Sequence, residues 1–163
     1  MDATDLFDDP RLTASGLLYE VHEGLIAKLD PIWKANGLSG LDANALMRLS
    51  RSPGRRLRMT DLAAQTNLST SGITRLVDRL QRGGLVRREA APDDRRSSYA
   101  VLTAAGATRL ARALPAYLEG IERWFTGLLN RDQLNELVLG LRVVRDAVNP
   151  EATALDEDTV GRL

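Results

Sequence analysis

A short amphipathic helix followed at once by two extended runs limits the folds that this chain can adopt. Ser69 is suited to cap the helix, and its apolar residues recur at spacings of three and four: Ile73, Leu76, Val77, Leu80. The glycine pair 83–84 ends it. The runs 85–89 and 99–102, joined by a polar loop that contains Pro92-Asp93-Asp94, predict a β-hairpin with a long tip.

A second short helix is predicted just before the first. Thr60 is expected to cap it, Leu62 and Ala63 to face inward, and the helix to end near Thr66. Residues 67–68 then form the turn to the next helix. Two short helices joined by a tight turn and followed by a hairpin predict a winged helix-turn-helix.

Longer helical patterns flank this core. The first runs from Pro10 to about Asn36, with Pro31 expected to kink or end it. The C-terminal patterns cover about 104–129, which Pro115 is expected to bend or divide, and about 131–147.

Another helix opens the core. Ser39 and Asp42 form a capping-box-like pair at its start. Its predicted buried residues are Leu41, Ala45, Leu46 and Leu49.

The predicted fold is therefore mainly α, with a small β-hairpin wing, a winged helix-turn-helix core and a helical dimerisation region. Residues 1–36 form the N-terminal dimerisation helix, 37–103 the core and 104–148 the C-terminal dimerisation helices. Residues 149–163 are expected to be a flexible tail.

The charge is divided unevenly along a chain whose formal net charge is zero. Residues 48–96 hold twelve arginines and five acidic residues, a net charge of +7, and the rest of the chain carries −7. A basic middle between acidic ends is typical of a protein that binds a polyanion, although a network of surface salt bridges is the alternative. All twelve basic residues are arginine, which favours forked contacts to phosphate or guanine.

Several functional classes have little support in the composition. The chain has no cysteine and one histidine, His22, so disulfides, thiolate metal sites and Ser-His catalysis are not expected. No stretch is apolar enough to span a bilayer, and the acidic N-terminus does not resemble a secretory signal. We expect a cytoplasmic protein that is not an enzyme and carries no cofactor or metal.

The polar face of the helix after Ser69 is the candidate for reading DNA. Ser69, Thr70, Ser71 and Thr74 place hydroxyls on its first turns, although each hydroxyl can equally serve as a local cap. Arg75 lies one turn in, where it can reach a guanine edge, and Arg79 continues the same face.

The hairpin tip is the second candidate. Arg95 and Arg96 lie on a protruding loop, where a guanidinium can enter the minor groove. Asp94 can brace Arg96 there, and a merely solvated turn is the alternative.

The chain resembles the multiple-antibiotic-resistance regulator (MarR) family. The resemblance rests on the run 68–80, on Gly83-Gly84-Leu85-Val86, and on Asp94-Arg95-Arg96 followed by Leu102-Thr103. It covers about residues 12–147, and Gly72 and Asp42 depart from the usual pattern. The resemblance implies a homodimer, a palindromic double-stranded DNA operator, and usually repression that a small molecule relieves.

Two features outside the core fit that implication. The flanking helices carry more apolar surface than the core can cover, so they can pair across a two-fold axis, although an intramolecular bundle is the alternative. Members of the family often bind amphipathic aromatic molecules between these helices and the core. The candidate ligand-binding residues are Tyr19, His22, Trp33 and Met47, with ordinary core or surface roles as the alternative.

The sequence thus predicts a DNA-binding transcriptional regulator, a repressor released by a small amphipathic or aromatic ligand. The competing hypothesis is a winged-helix module that binds protein and no longer reads specific DNA. The arginines of the wing argue against that hypothesis.

Overall fold

The structure is a computed structural model that describes residues 6–91 and 94–155, except for the side chains of 94–96 and 153–155. In chain order the elements are α1 (Pro10–Ala35), α2 (Gly40–Arg51), β1 (Arg56–Arg58), α3 (Met59–Gln65), α4 (Thr70–Arg82), β2 (Val86–Ala91), β3 (Asp94–Leu102), α5 (Ala104–Trp124) and α6 (Arg131–Val148). Short 3-10 helices follow α2, α5 and α6, at Pro53–Arg55, Thr126–Leu128 and Pro150–Leu155.

Helix α1 is one continuous helix of 26 residues. Asp9 caps its start by accepting a hydrogen bond from the backbone N–H of Arg11, and Gly37 follows its end with φ of +70°. Pro31 does not end the helix, because Leu29 and Trp33 on either side of it are both buried. Their packing outweighs the one backbone hydrogen bond that a proline removes.

Helix α2 has the predicted capping box between Ser39 and Asp42. Ala45, Leu46 and Leu49 are fully buried as expected, but the prediction for Leu41 is wrong because its side chain is 49% exposed. Asp42, the next residue, is 7% exposed, so its carboxylate points inward where Leu41 does not. Its local and long-range hydrogen bonds compensate for that burial.

Strand β1 was not predicted, and it displaces the expected start of the next helix. Residues 56–58 pair antiparallel with β3, joining Arg56 to Val101 and Arg58 to Tyr99. Helix α3 therefore begins at Met59 with Arg58 at the cap position, and Thr60 is not the cap. A strand of three residues is too short to show the alternation by which strands are recognised.

The sheet is antiparallel in the order β1-β3-β2. The β2–β3 hairpin has longer strands than predicted, because pairing continues from Val86 opposite Leu102 as far as Ala91 opposite Asp94. A register irregularity lies between Ala90 and Ala91. The backbone loop between the two strands is consequently shorter than the sequence suggested.

The core lies between α2, α3, α4, α5 and the inner face of the sheet. It contains the four predicted α4 residues, each 3% exposed or less, together with Leu62, Val86 and Ala100. Trp33 of α1 belongs to the same cluster. Helices α3 and α4 are therefore fixed to the rest of the domain by apolar packing.

The C-terminal helices differ in burial. Pro115 lies inside α5 without ending it, but α5 stops at Trp124 rather than near residue 129. Helix α6 has no buried residue. Within residues 6–91 and 94–155, no helix is long and apolar enough to cross a membrane.

The segment predicted as a flexible tail begins with an ordered turn. The 3-10 helix at 150–155 follows α6 directly, and Ala152 is 8% exposed. Arg48 Nη1 of α2 donates to the carbonyl oxygen of Ala152 at 3.2 Å. Residues 156–163 lie outside the part of the chain that the structure describes.

Candidate nucleic-acid interface

The turn between α3 and α4 sets the direction of α4. Asn67 adopts φ of +53°, and the N–H of Leu68 donates to the carbonyl oxygen of Ala63 at 2.9 Å. Ile73 and Val77 then point into the core. The opposite side of α4 is left facing solvent, with Thr70, Ser71 and Arg75 exposed.

Hydroxyl groups cluster at the start of α4. Ser69 Oγ accepts a hydrogen bond from the N–H of Gly72 at 3.2 Å and lies 3.2 Å from Ser71 Oγ. Thr74 Oγ1 donates to the carbonyl oxygen of Thr70 at 2.8 Å. Ser69 is thus a cap, as predicted, and the exposed first turn of α4 presents backbone N–H groups with the positive end of the helix dipole.

Arg79 lies on α4 but is directed towards α2. Its Nε and Nη2 donate to Asp42 Oδ1 at 3.1 and 2.7 Å, while Asp42 Oδ2 accepts from Ser39. The ion pair ties α4 to the first turn of α2. Half of the Arg79 side chain remains exposed, so a phosphate contact by the same guanidinium is sterically open and stays a prediction.

Arg88 belongs to the candidate interface, although the sequence did not single it out. Its Nη2 lies 2.7 Å from Asp78 Oδ1 and 3.4 Å from the carbonyl oxygen of Thr74, so it joins β2 to the exposed side of α4. Alternation along β2 places Arg88 on the same face as buried Val86. That alternation is the signal that would have found it.

The side chains of Asp94, Arg95 and Arg96 lie outside the described residues, although the backbone from Asp94 onward belongs to β3. Their minor-groove role stays a prediction. Just below the tip, Arg58 Nη1 donates to Ser97 Oγ at 3.2 Å and links β1 to the hairpin.

An open groove of about 880 Å³ lies between α1, α2 and α5. Three of the four predicted ligand residues line it: His22, Trp33 and Met47. Tyr19 does not line the groove, and its side chain is 69% exposed. Residue 19 precedes the groove by one turn of α1, and sequence alone could not show where the groove begins.

Tyr117 also lines the groove, although the sequence did not single it out. Its ring centroid lies 4.2 Å from that of Trp33. Burial raises the pKa of the Tyr117 phenol, a hydrogen bond with Trp33 lowers it, and the negative charge of Asp30 raises it further. The groove therefore combines an aromatic pair with a few polar groups, which is the make-up of a small-molecule site.

Comparison with known proteins relates this chain to a protein family. Residues 36–97 match the model of the MarR family. The HTH-type transcriptional repressor YetL of Bacillus subtilis is 31% identical over 104 residues, which are 64% of this chain and 62% of YetL. The match thus spans less than two thirds of that curated relative.

Solved structures extend the match to almost the whole of the described fold. AbsC, a MarR family transcriptional regulator from Streptomyces coelicolor, has a TM-score of 0.80 at 32% identity, covering 87% of this chain and 96% of AbsC. Sco3205, a MarR family transcriptional regulator from the same organism solved in complex with DNA, has a TM-score of 0.79 at 30% identity. That match covers 89% of this chain and 91% of Sco3205.

Proposed function

The chain belongs to the MarR family, and from that premise we propose that it is a transcriptional regulator that binds double-stranded DNA through α4 and the β2–β3 hairpin. The observation that carries the proposal is the division of α4 into a buried apolar side and an exposed side with hydroxyls and Arg75. The same fold occurs in Sco3205, which was solved in complex with DNA.

The electrostatics support the same function. The segment 48–96, which contains α3, α4, β2 and the start of β3, has a net charge of +7, opposite to the rest of the chain. Phosphate contacts of this kind provide a large share of the affinity of a DNA-binding protein and make it fall steeply with added salt. Arg75 is then the base-reading residue and the arginines around it hold the duplex.

We further propose a homodimer. Apolar side chains of α1 and α6 are exposed in the single chain: Leu12, Leu17, Leu18, Val21, Leu137, Leu139, Leu141, Val143, Val144. A second copy covers such surfaces when the same patch meets itself across a two-fold axis. Two copies of α4 then read the two halves of a palindromic operator.

The groove supports regulation by a small molecule. We propose that an amphipathic aromatic ligand binds beside Trp33 and Tyr117 and releases a repressor from DNA. Titration with aromatic carboxylates should quench the fluorescence of a Trp124→Phe variant, in which Trp33 is the sole tryptophan. The same ligands should weaken DNA binding, and quenching without that effect would argue against a role in release.

DNA binding is tested with a duplex selected by the protein from a random-sequence pool, compared with an unselected duplex in fluorescence anisotropy. Arg75→Ala should weaken binding to the selected duplex by about 1–3 kcal/mol and change binding to the unselected one much less, because a base contact is the source of discrimination between sequences. Arg112→Ala, an exposed arginine on α5, is the matched control.

Three outcomes separate the alternatives. Equal weakening on both duplexes would make Arg75 a phosphate contact only.

Arg96→Ala should weaken binding to both duplexes while leaving the dimer intact, which tests the predicted wing contact. A folded dimer that binds neither duplex would instead support the module that binds protein.

A further inference from the structure

The side of the β-sheet that faces away from α4 carries an arginine-rich surface. Residues that pair across the strands share a face, so one row joins Arg56, Val101 and Arg87, and the next joins Arg58, Tyr99 and Glu89. The other face holds fully buried Ala100. We call the six residues of these two rows the outer sheet face.

Tyr99 organises two of the three arginines. The Cζ atoms of Arg56 and Arg58 lie 4.8 and 5.3 Å from the centroid of its ring. Such cation–π contacts orient a guanidinium without using its N–H donors. The half-exposed Arg56 guanidinium therefore keeps hydrogen-bonding capacity on a surface whose backbone is fixed by two strand pairings.

Glu89 is the one acidic residue among these six. It forms an ion pair with Arg87, and its Oε2 lies 3.8 Å from Arg56 Nη1. The Arg56 and Arg87 guanidiniums thus share one carboxylate, and their side chains are 48% and 57% exposed. A shallow groove of about 580 Å³ runs over Tyr99 and Val101 and is bounded by Pro53 and Gly54.

We propose that the outer sheet face binds the phosphodiester backbone of the DNA that flanks the half-site read by α4. The inference rests on the proposed function, since it needs the hairpin to be placed against a duplex. An excess of guanidiniums matches an extended polyanion, and arginine is the side chain suited to forked phosphate contacts. Arg88, on the other face of β2, is already engaged with α4.

This surface would lengthen the footprint of the protein without reading sequence. Contacts to phosphates fix position and add affinity but carry no direct base information. Glu89 limits the affinity because it competes with phosphate for the same two guanidiniums. Binding strength should then depend on the length of DNA beyond the half-sites and on the charge at position 89.

The test compares two duplexes that share the same selected operator, one ending at the half-sites and one extended by about ten base pairs, one helical turn, on each side. We expect the wild-type protein to bind the longer duplex about tenfold more tightly. The double variant Arg56→Gln/Arg87→Gln should lose that gain and bind the short duplex as the wild type does. The slope of its salt dependence on the long duplex should flatten by about 0.9 for each phosphate that the variant no longer neutralises.

Two further variants sharpen the result. Glu89→Gln should strengthen binding to the long duplex and leave the short one unchanged, which general destabilisation of the sheet would not do. Arg112→Gln, which removes an exposed arginine from α5, should behave as the wild type on both duplexes.

The outcomes that overturn the inference are distinct from failure of the proposed function. Equal wild-type affinity for both duplexes, equal weakening by the double variant on both, or no gain from Glu89→Gln would each overturn it while leaving DNA binding in place. A wild-type protein that binds neither duplex would overturn the proposed function itself. Long-duplex binding unchanged by the double variant, with that variant failing to bind an acidic protein bound by the wild type, would assign the face to protein instead.

Discussion

At the scale of single residues, Asp42 joins two helices through its two carboxylate oxygens. Oδ2 accepts from the N–H and hydroxyl of Ser39 at 2.8 and 2.7 Å, and Oδ1 accepts from Arg79 at 2.7 and 3.1 Å. The carboxylate is therefore both a helix cap and a brace for α4. It also connects the edge of the groove, where Ser39 lies, to the helix proposed to read DNA.

Substitutions at Ser39 and Asp42 should separate the contribution of the helix cap from that of the ion pair with Arg79. We expect Ser39→Ala to lower the free energy of unfolding by about 0.5–2 kcal/mol, as loss of a cap does. Asp42→Ala should cost more than that, because it also removes the partner of Arg79. The measurement is urea unfolding followed by circular dichroism.

A double-mutant cycle measures the coupling energy of the Asp42–Arg79 ion pair separately from the cap. Because the Arg79 side chain is half exposed, we expect a coupling energy between Asp42 and Arg79 of about 0.5–1 kcal/mol. Asp42→Ala should also weaken binding to the selected duplex more than Ser39→Ala does. A coupling energy of zero would show that the ion pair does not hold α4.

Sequence patterns could predict the helix caps in this arrangement but not the contacts between residues far apart in the chain. The capping residues of α2 and α4 are adjacent in the chain to what they cap, so Ser39, Asp42 and Ser69 were identified correctly. The partner of Arg79 is 37 residues away, and that of Tyr117 lies on another helix. Contacts of this kind depend on the packing of elements, which periodicity does not reveal.

At the scale of elements, the start of α5 fits tightly against the residue that follows the α4 glycines. The N–H of Thr103 donates to the carbonyl oxygen of Leu85 at 3.1 Å, and Thr103 Oγ1 donates to that of Gly84 at 2.7 Å. Gly106 lies in the same turn, where an added Cβ would be 2.1 Å from the Leu85 oxygen. The junction between the hairpin and α5 therefore requires glycine, which has no side chain, at position 106.

Gly106→Ala should therefore destabilise the protein, although alanine favours helix. A contact of 2.1 Å with backbone requires the two segments to separate, and we expect a loss of about 1–3 kcal/mol in urea unfolding. Gly16→Ala in α1, where nothing lies within 4 Å, is the matched control for helix propensity. A gain in stability for Gly106→Ala would contradict the tight junction.

Elements were predictable in proportion to their length and periodicity. The predicted and observed limits of α1 and α4 agree closely, since each carries several turns with an apolar stripe. Strand β1 was missed because its three residues acquire their conformation by pairing with β3. The outer sheet face follows from that pairing, so the sequence could not indicate it either.

At the scale of the whole molecule, apolar surface is divided between a closed core and open flanking helices. Leu18 of α1 is 50% exposed and Leu141 of α6 is 39% exposed, whereas the core leucines of α2 and α3 are fully buried. The sequence predicted this excess of apolar surface. The sequence left a dimer and an intramolecular bundle as alternatives, and the lack of any buried residue in α6 of the single chain supports the proposed dimer.

The double variant Leu18→Glu/Leu141→Glu should convert the proposed dimer to a monomer, because it places charges where a second copy would pack. The measurement is sedimentation equilibrium. Leu41→Glu is the control, since Leu41 is 49% exposed but lies on α2. A wild-type protein that sediments as a monomer, or a double variant that still sediments as a dimer, would contradict the proposed interface.

The two prolines within helices lie at matching positions on either side of the groove. Pro31 precedes Trp33 by two residues, Pro115 precedes Tyr117 by two, and the two aromatic rings meet. Each proline removes one backbone hydrogen bond at its level, so both α1 and α5 resist bending least beside the same point. The groove therefore lies where both helices bend most easily, so a molecule bound there would displace α1, which belongs to the proposed dimer surface, with the least resistance.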